Sequence, residues 1–269
     1  MLVLVPIPLI ATTPRPPAPA ATDVRAATTD FVVAGRRVRL VDLGGSVTDP
    51  TDPLPGRITT HVGPAIEAVQ SFWGSAWPRE ITIVLSGTAQ QFRTQLGGGS
   101  TAQWADIAAA AVADRIDPTR RVATGQRIVF APGAAAMSDD ALRIVLSHEL
   151  FHYASRVDTA PDAPRWLTEG VADYVARPPT APSAAPLPTA VPSDADLDVP
   201  GPQRSLAYDR GWWFARFVAE YYGPTTLRAL YRAACGLGHA DLPAAVRGVL
   251  GTDMPALLAR WQRWSTGRA

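Results

Sequence analysis

The chain has 269 residues, of which 47% are hydrophobic, and this is enough for one sizeable core. Its formal net charge of +1 creates no large field of one sign, so composition argues against nucleic acid as a partner. With a single cysteine, Cys235, the chain has no intramolecular disulfide and no CxxC metal or redox site. Composition alone indicates no function, so the function must be inferred from a local site. We expect the protein to be a monomer.

Residues 1–29 are predicted to be a leader or a disordered tail. The apolar run before Thr12 is interrupted by Pro6 and Pro8, and it has about half of the roughly 20 apolar residues that a membrane-spanning helix needs. Small residues at 18–21 favour a signal peptide, although the positively charged start of such a peptide is missing. We expect no stable membrane span and a secreted or extracytoplasmic protein. A cytoplasmic protein with a Pro/Ala-rich tail is the alternative.

From residue 30 to 269 the patterns predict one domain. Alternating β-branched and charged residues at 31–43 predict a half-exposed strand or hairpin, and helical spacing of apolar residues at 58–73 predicts a helix. Two further strands are predicted at 81–85 and 127–132. Ser138 is a suitable N-cap for a helix that runs through Tyr153, with acidic residues in its first turn.

The second half of the chain is predicted to be helical. A buried helix is expected at 166–175, and helices separated by glycines are expected from 206 to 264. Between them, the Pro/Ala/Ser-rich segment 178–203 predicts a long surface loop, because it has too little apolar periodicity to pack. We expect that loop to act as a lid or a processing site.

The predicted helix that starts after Ser138 contains the sequence HELFH. His148 and His152 are four residues apart, so on a helix both imidazoles face the same way and can reach one ion. Glu149 lies at the rim of that face, where it can act as a general base without being a ligand. A zinc ion there would lower the pKa of a water to about 7, and Glu149 would accept its proton and pass it to a leaving amine.

A catalytic zinc needs a third protein ligand, and Glu169 on the next predicted helix offers one. Asp173 follows one turn later, where its carboxylate could hydrogen-bond a ligand histidine and fix its tautomer. Gly170 beside Glu169 would allow another helix to approach closely. For Glu169 and Asp173 the alternative interpretation is ordinary helix-surface carboxylates.

These two segments resemble a known family. HELFHY followed by WLTEGVADYV resembles the gluzincin metallopeptidases, in which HExxH is completed by ExxxD. The two motifs are still more similar to those of bacterial peptidase MA-like domains. AYDRGWWFARFVAEYYG and a tryptophan-containing end extend the likeness over residues 127–264. The resemblance implies an α+β, zincin-like (thermolysin-like) domain with a small N-terminal sheet, an active-site helix and a helical C-terminal part. It also implies Zn²⁺, hydrolysis of a peptide or protein substrate, and Tyr208 as donor to the oxyanion.

The GxMEN exopeptidase motif of related aminopeptidases is absent, and the corresponding strand reads IVFAPGAAAM. This favours an endopeptidase over an aminopeptidase, and the strand could bind an extended substrate through its backbone. For Tyr208 a core aromatic is the alternative, and Tyr221 or Tyr222 could be mistaken for it. A catalytically inactive zinc-binding or interaction module is the other functional interpretation.

Overall fold

A computed structural model describes residues 26–44, 54–99, 104, 107–179, 190–199 and 201–267. The chain divides into two compact units, one up to Val157 and the other from Asp158 onward. The predicted leader at 1–29 lies outside the described residues except for its last four. The single domain predicted for 30–269 stays a prediction.

The first unit begins with the predicted hairpin, which is confirmed. Strand β1 spans Ala27–Val33, strand β2 spans Arg36–Asp42, and the two pair in antiparallel register. Ala34 and Gly35 form the two-residue connection with φ values of 46° and 73°. Two positive φ angles are typical of the type I′ turn, whose twist matches that of the flanking strands.

The described part of the first unit contains five further strands. They are β3 (Glu80–Leu85), β4 (Ala109–Val112), β5 (Arg115–Asp117), β6 (Val122–Thr124) and β7 (Arg127–Phe130). A five-stranded sheet has the order β1-β2-β3-β7-β4, and β5 pairs with β6 separately. Strands β2, β3 and β7 run parallel, whereas β1 and β4 run antiparallel to their neighbours. Strand β4 is therefore one edge of the sheet.

The helices whose bounds are described in this unit are α1 (Leu54–Trp73), α2 (Ala89–Gln95) and α3 (Asp139–Ser155), with short 3₁₀ helices at Pro132–Ala136 and Arg156–Asp158. Helix α1 packs on α3. The interior strands are apolar on both faces, as expected for strands covered on both sides. The fully buried side chains of this core include Ile58, Ile66, Ile81, Ile83, Ile128, Phe130, Leu142 and Phe151.

The second unit is helical in the part that the structure describes. Its helices are α4 (Arg165–Ala176), α5 (Asp194–Asp198), α6 (Pro202–Tyr222), α7 (Pro224–Cys235), α8 (Leu242–Leu250) and α9 (Met254–Ser265). Aromatic residues form its centre. The Phe214 ring lies 5.3 Å from the ring centroids of both Trp166 and Trp261, in edge-to-face arrangements. Trp261 is fully buried.

The loop predicted for 178–203 is more ordered at its end than expected. Helix α5 lies inside it and α6 begins at Pro202. Ser193 caps α5 through a capping box with Asp196, and Asp194 accepts a hydrogen bond from the Trp166 N–H at 3.1 Å. The capping box stabilises the start of α5, although the weak apolar periodicity of this segment predicted a loop. Residues 180–189 and 200 lie outside the described residues, so the lid hypothesis stays a prediction.

Among the described residues, no helix is both long enough and apolar enough to cross a membrane. The mixed architecture, a small N-terminal sheet followed by helices, agrees with the predicted α+β class. Its thermolysin-like details stay a prediction.

Candidate metal centre

Helix α3 begins as predicted and carries the two histidines. The Ser138 hydroxyl accepts a hydrogen bond from the Ala141 N–H, and Asp139 and Asp140 occupy the first turn. His148 is buried and His152 is half-buried. Their Nε2 atoms lie 3.1 Å apart. Two nitrogens that each bind one zinc at about 2.1 Å in tetrahedral geometry lie about 3.4 Å apart, so a spacing close to this suits a shared ion.

Glu149 is buried beside the histidines, and its Oε2 accepts a 2.7 Å hydrogen bond from the backbone N–H of Ala111 on β4. The backbone donor gives the carboxylate a defined orientation. A carboxylate with a fixed orientation suits a general base, which must lie within hydrogen-bond reach of the proton that it removes.

In the second unit, Glu169 lies on α4 and is 4% exposed. The predicted close approach at Gly170 is confirmed, because a Cβ at this position would overlap the Gly211 carbonyl of α6. A Cβ at Gly211 would in turn lie 2.8 Å from the Trp166 carbonyl oxygen. Glycine at both positions lets the backbones of α4 and α6 meet directly.

Tyr208 lies on α6 and is 3% exposed. Among the described residues its hydroxyl has no hydrogen-bond partner. Burial raises the pKa of Tyr208 well above its ordinary value, and the negative charges of Glu169 and Asp173 raise it further. The hydroxyl therefore keeps its proton and can act as a donor. Tyr221, the possible alternative, is 55% exposed.

The described residues contain one group of three side chains that could hold a metal ion, formed by His148, His152 and Glu169. Each offers one ligand atom, and these atoms lie within 4.8 Å of one another. Two imidazoles with one carboxylate are a donor set that zinc accepts. The residues therefore fit the implied metal in both type and spacing.

Asp173 is fully buried, and its Oδ2 lies 2.8 Å from Nη2 of Arg177. Arg177 also contacts Asp209 at 2.9 Å and lies over the Trp212 ring at 5.0 Å. A buried carboxylate needs such a cation to offset its loss of hydration. The role predicted for Asp173, support of a ligand histidine, stays a prediction. Sequence reasoning missed Arg177, although an Asp–Arg pair four residues apart on a helix is a recognisable signal.

The strand predicted to bind an extended substrate requires a correction. Strand β7 lies between β3 and β4, so both of its edges are already paired. Strand β4 is instead the edge strand on this side of the sheet. It was not predicted, because the short run AAAV has weak strand character. Its residue Ala111 and the partner Arg156 were also missed.

No family model matches the chain, and neither does any curated protein. Thirteen chains of solved structures match it. One is a mutant of an M1 zinc metallopeptidase from Deinococcus radiodurans, with a TM-score of 0.47 and 16% identity over 91% of this chain and 52% of that chain. This chain thus spans about half the length of that protein. A TM-score below 0.5 describes a coarse resemblance only.

Proposed function

We propose that this chain is a zinc-dependent metallopeptidase that hydrolyses internal peptide bonds of a peptide or protein substrate. The observation that carries the proposal is the group formed by His148, His152 and Glu169, whose ligand atoms lie within 4.8 Å of one another. Glu149 directly follows the first histidine, and a structural zinc site does not need a carboxylate there. This residue favours a catalytic site over a structural one.

His148, His152 and Glu169 would hold the metal, leaving a fourth position for substrate or water. When bound, zinc supplies Lewis acidity that lowers the pKa of water to about 7 and polarises a carbonyl. Glu149 accepts the proton of the attacking water and then donates it to the leaving amine. The Ala111 N–H keeps the Glu149 carboxylate in one orientation throughout.

Tyr208 would stabilise the oxyanion that develops as the peptide carbonyl is attacked. Its hydroxyl is buried, protonated and without a hydrogen-bond partner among the described residues. A donor that is already desolvated loses little on binding a developing charge, and this is the condition for strong electrostatic stabilisation. An unpartnered buried hydroxyl also costs stability, and a role in catalysis accounts for it.

Zinc content tests the metal site. Elemental analysis of the purified wild type should find about one zinc per chain, because three protein ligands are the usual set for a catalytic zinc. Glu169→Ala should reduce the zinc content strongly, whereas Glu67→Ala, which removes an exposed glutamate of α1, should leave it unchanged. Wild type without zinc after reconstitution would end the proposal.

Turnover separates an enzyme from an inactive module. The protein is incubated with a mixture of peptides whose ends are acetylated and amidated, and the products are identified by mass spectrometry. We expect internal cleavage that a chelator stops and added zinc restores. Blocked ends exclude exopeptidase products, so cleavage of these peptides supports an endopeptidase. A chain that holds zinc but cleaves none of them would instead be the zinc-binding module.

A further inference from the structure

The outward edge of β4 is defined by its register with β7. Ala109 pairs with Phe130 and Val112 pairs with Arg127. The Ala131 N–H donates to the Ala108 carbonyl at 2.9 Å, so residue 108 faces β7. Since N–H and C=O directions alternate along an antiparallel strand, residues 109 and 111 direct their backbone groups away from the sheet.

Both outward groups of Ala111 are bound by side chains. Its N–H donates to Glu149 Oε2 at 2.7 Å, and its carbonyl accepts a hydrogen bond from Nη2 of Arg156. The two side chains therefore take the place of a neighbouring strand. Arg156 is the C-cap residue of α3 and keeps a helical backbone conformation. It follows Glu149 by seven residues, which is about two helical turns, so both side chains project from the same side.

Both members of this arrangement are buried, Glu149 at 6% and Arg156 at 9% exposure. Hydrogen bonds between a charged side chain and the backbone are about twice as strong as those between neutral groups, and burial reduces competition from water. Arg156 thus restrains the carbonyl of the residue whose N–H orients Glu149. Without the guanidinium, the buried Ala111 carbonyl would lose this partner and the strand would be freer to shift.

We propose that Arg156 is a positioning residue for the general base. It holds Ala111 in the orientation that presents its N–H to Glu149, and so it acts on the base through the backbone of β4. This inference rests on the proposed function, because it gives Glu149 the role of base. We refer to Glu149, Ala111 and Arg156 together as the β4 clamp.

The test compares Arg156→Met, Arg156→Lys and the control Arg143→Met in the full-length chain. Arg143 lies on α3, its side chain is 38% exposed, and its guanidinium is 3.9 Å from the Asp140 carboxylate. For each protein we would measure zinc content, melting temperature, kcat and KM on one blocked peptide. Methionine keeps much of the arginine stem but donates no hydrogen bond to Ala111.

We expect Arg156→Met to keep its zinc and a KM within about twofold of wild type, with kcat about 10- to 100-fold lower, as for other residues that orient catalytic groups. Arg156→Lys, which restores one donor, should have an intermediate kcat. Arg143→Met should behave as wild type. A merely structural role would lower melting temperature and zinc content together without this separation of kcat from KM.

Wild-type kcat in a folded Arg156→Met variant would overturn the inference and leave the proposed function intact. If that variant does not fold, the Arg156→Lys variant provides the test. A kcat reduced about two- to tenfold, with unchanged zinc content and KM, supports a positioning role for Arg156. A wild-type kcat in Arg156→Lys overturns the inference. Absence of turnover in the wild type itself would overturn the proposed function together with this inference.

Discussion

Helix α3 and the pair formed by α4 and α6 both carry candidate catalytic side chains, but they are specified differently. Helix α3 has a serine N-cap and two acidic residues in its first turn. The N-cap residues of α4 and α6, Pro164 and Gly201, make no side-chain cap hydrogen bond of their own. The two helices meet through Gly170 and Gly211. Local chemistry thus defines α3, whereas tertiary packing defines the other pair.

Glu149→Gln should produce the largest effect and tests α3. Glutamine keeps the size of the side chain but cannot accept a proton, so kcat should fall about 10²- to 10⁴-fold. Zinc content should stay at the wild-type level, because Glu149 is not a ligand. Elemental analysis and steady-state kinetics on the same preparation would check both points. Turnover close to wild type would remove Glu149 as the base.

Tyr208→Phe tests α6 and should have the next largest effect. Loss of an oxyanion donor reduces kcat about 10²- to 10³-fold. Folding stability should be unchanged or slightly higher, because the buried hydroxyl has no hydrogen-bond partner to lose among the described residues. Kinetics together with urea unfolding would measure the two quantities. Reduced stability with normal turnover would make Tyr208 a core residue instead, and Tyr222→Phe serves as the matched control.

Gly170→Ala tests the contact between α4 and α6. The new methyl group would overlap the Gly211 carbonyl, so the helices must separate, and the free energy of unfolding should fall by about 1–3 kcal/mol. Gly248→Ala is the control, since a Cβ there has nothing within 4 Å. That variant should gain about 0.5–1 kcal/mol, because alanine is the better helix former. Equal urea midpoints for the two variants would contradict the close contact.

Ser138→Ala tests the local specification of α3 and should have the smallest effect. It removes the side-chain acceptor for the Ala141 N–H, which should cost about 1 kcal/mol of stability. The Ser138 cap lies more than two turns before His148, so zinc content and KM should not change. Thermal unfolding and zinc analysis would check this. A loss of zinc without loss of stability would mean that the start of α3 and the metal site are coupled.

The elements and the candidate site were predictable to different degrees. The α3 cap, the spacing of His148 and His152 and the close approach at Gly170 follow from local patterns, and the structure agrees with them. The edge of the sheet was assigned to the wrong strand, because pairing partners are set by contacts between distant residues. Helix α5 was missed for another reason, since five residues carry too little periodicity to be recognised.

By itself, the sequence determined which residues could form a zinc site, because ligand type and helical spacing are properties of a short segment. Only the tertiary structure decided that the β4 clamp uses Ala111 and Arg156, 45 residues apart. Tertiary contacts likewise decided that Arg177 neutralises the buried Asp173 and that the Tyr208 hydroxyl is enclosed without a partner among the described residues. Burial and hydrogen-bond partners depend on how the chain packs, and no local pattern encodes them.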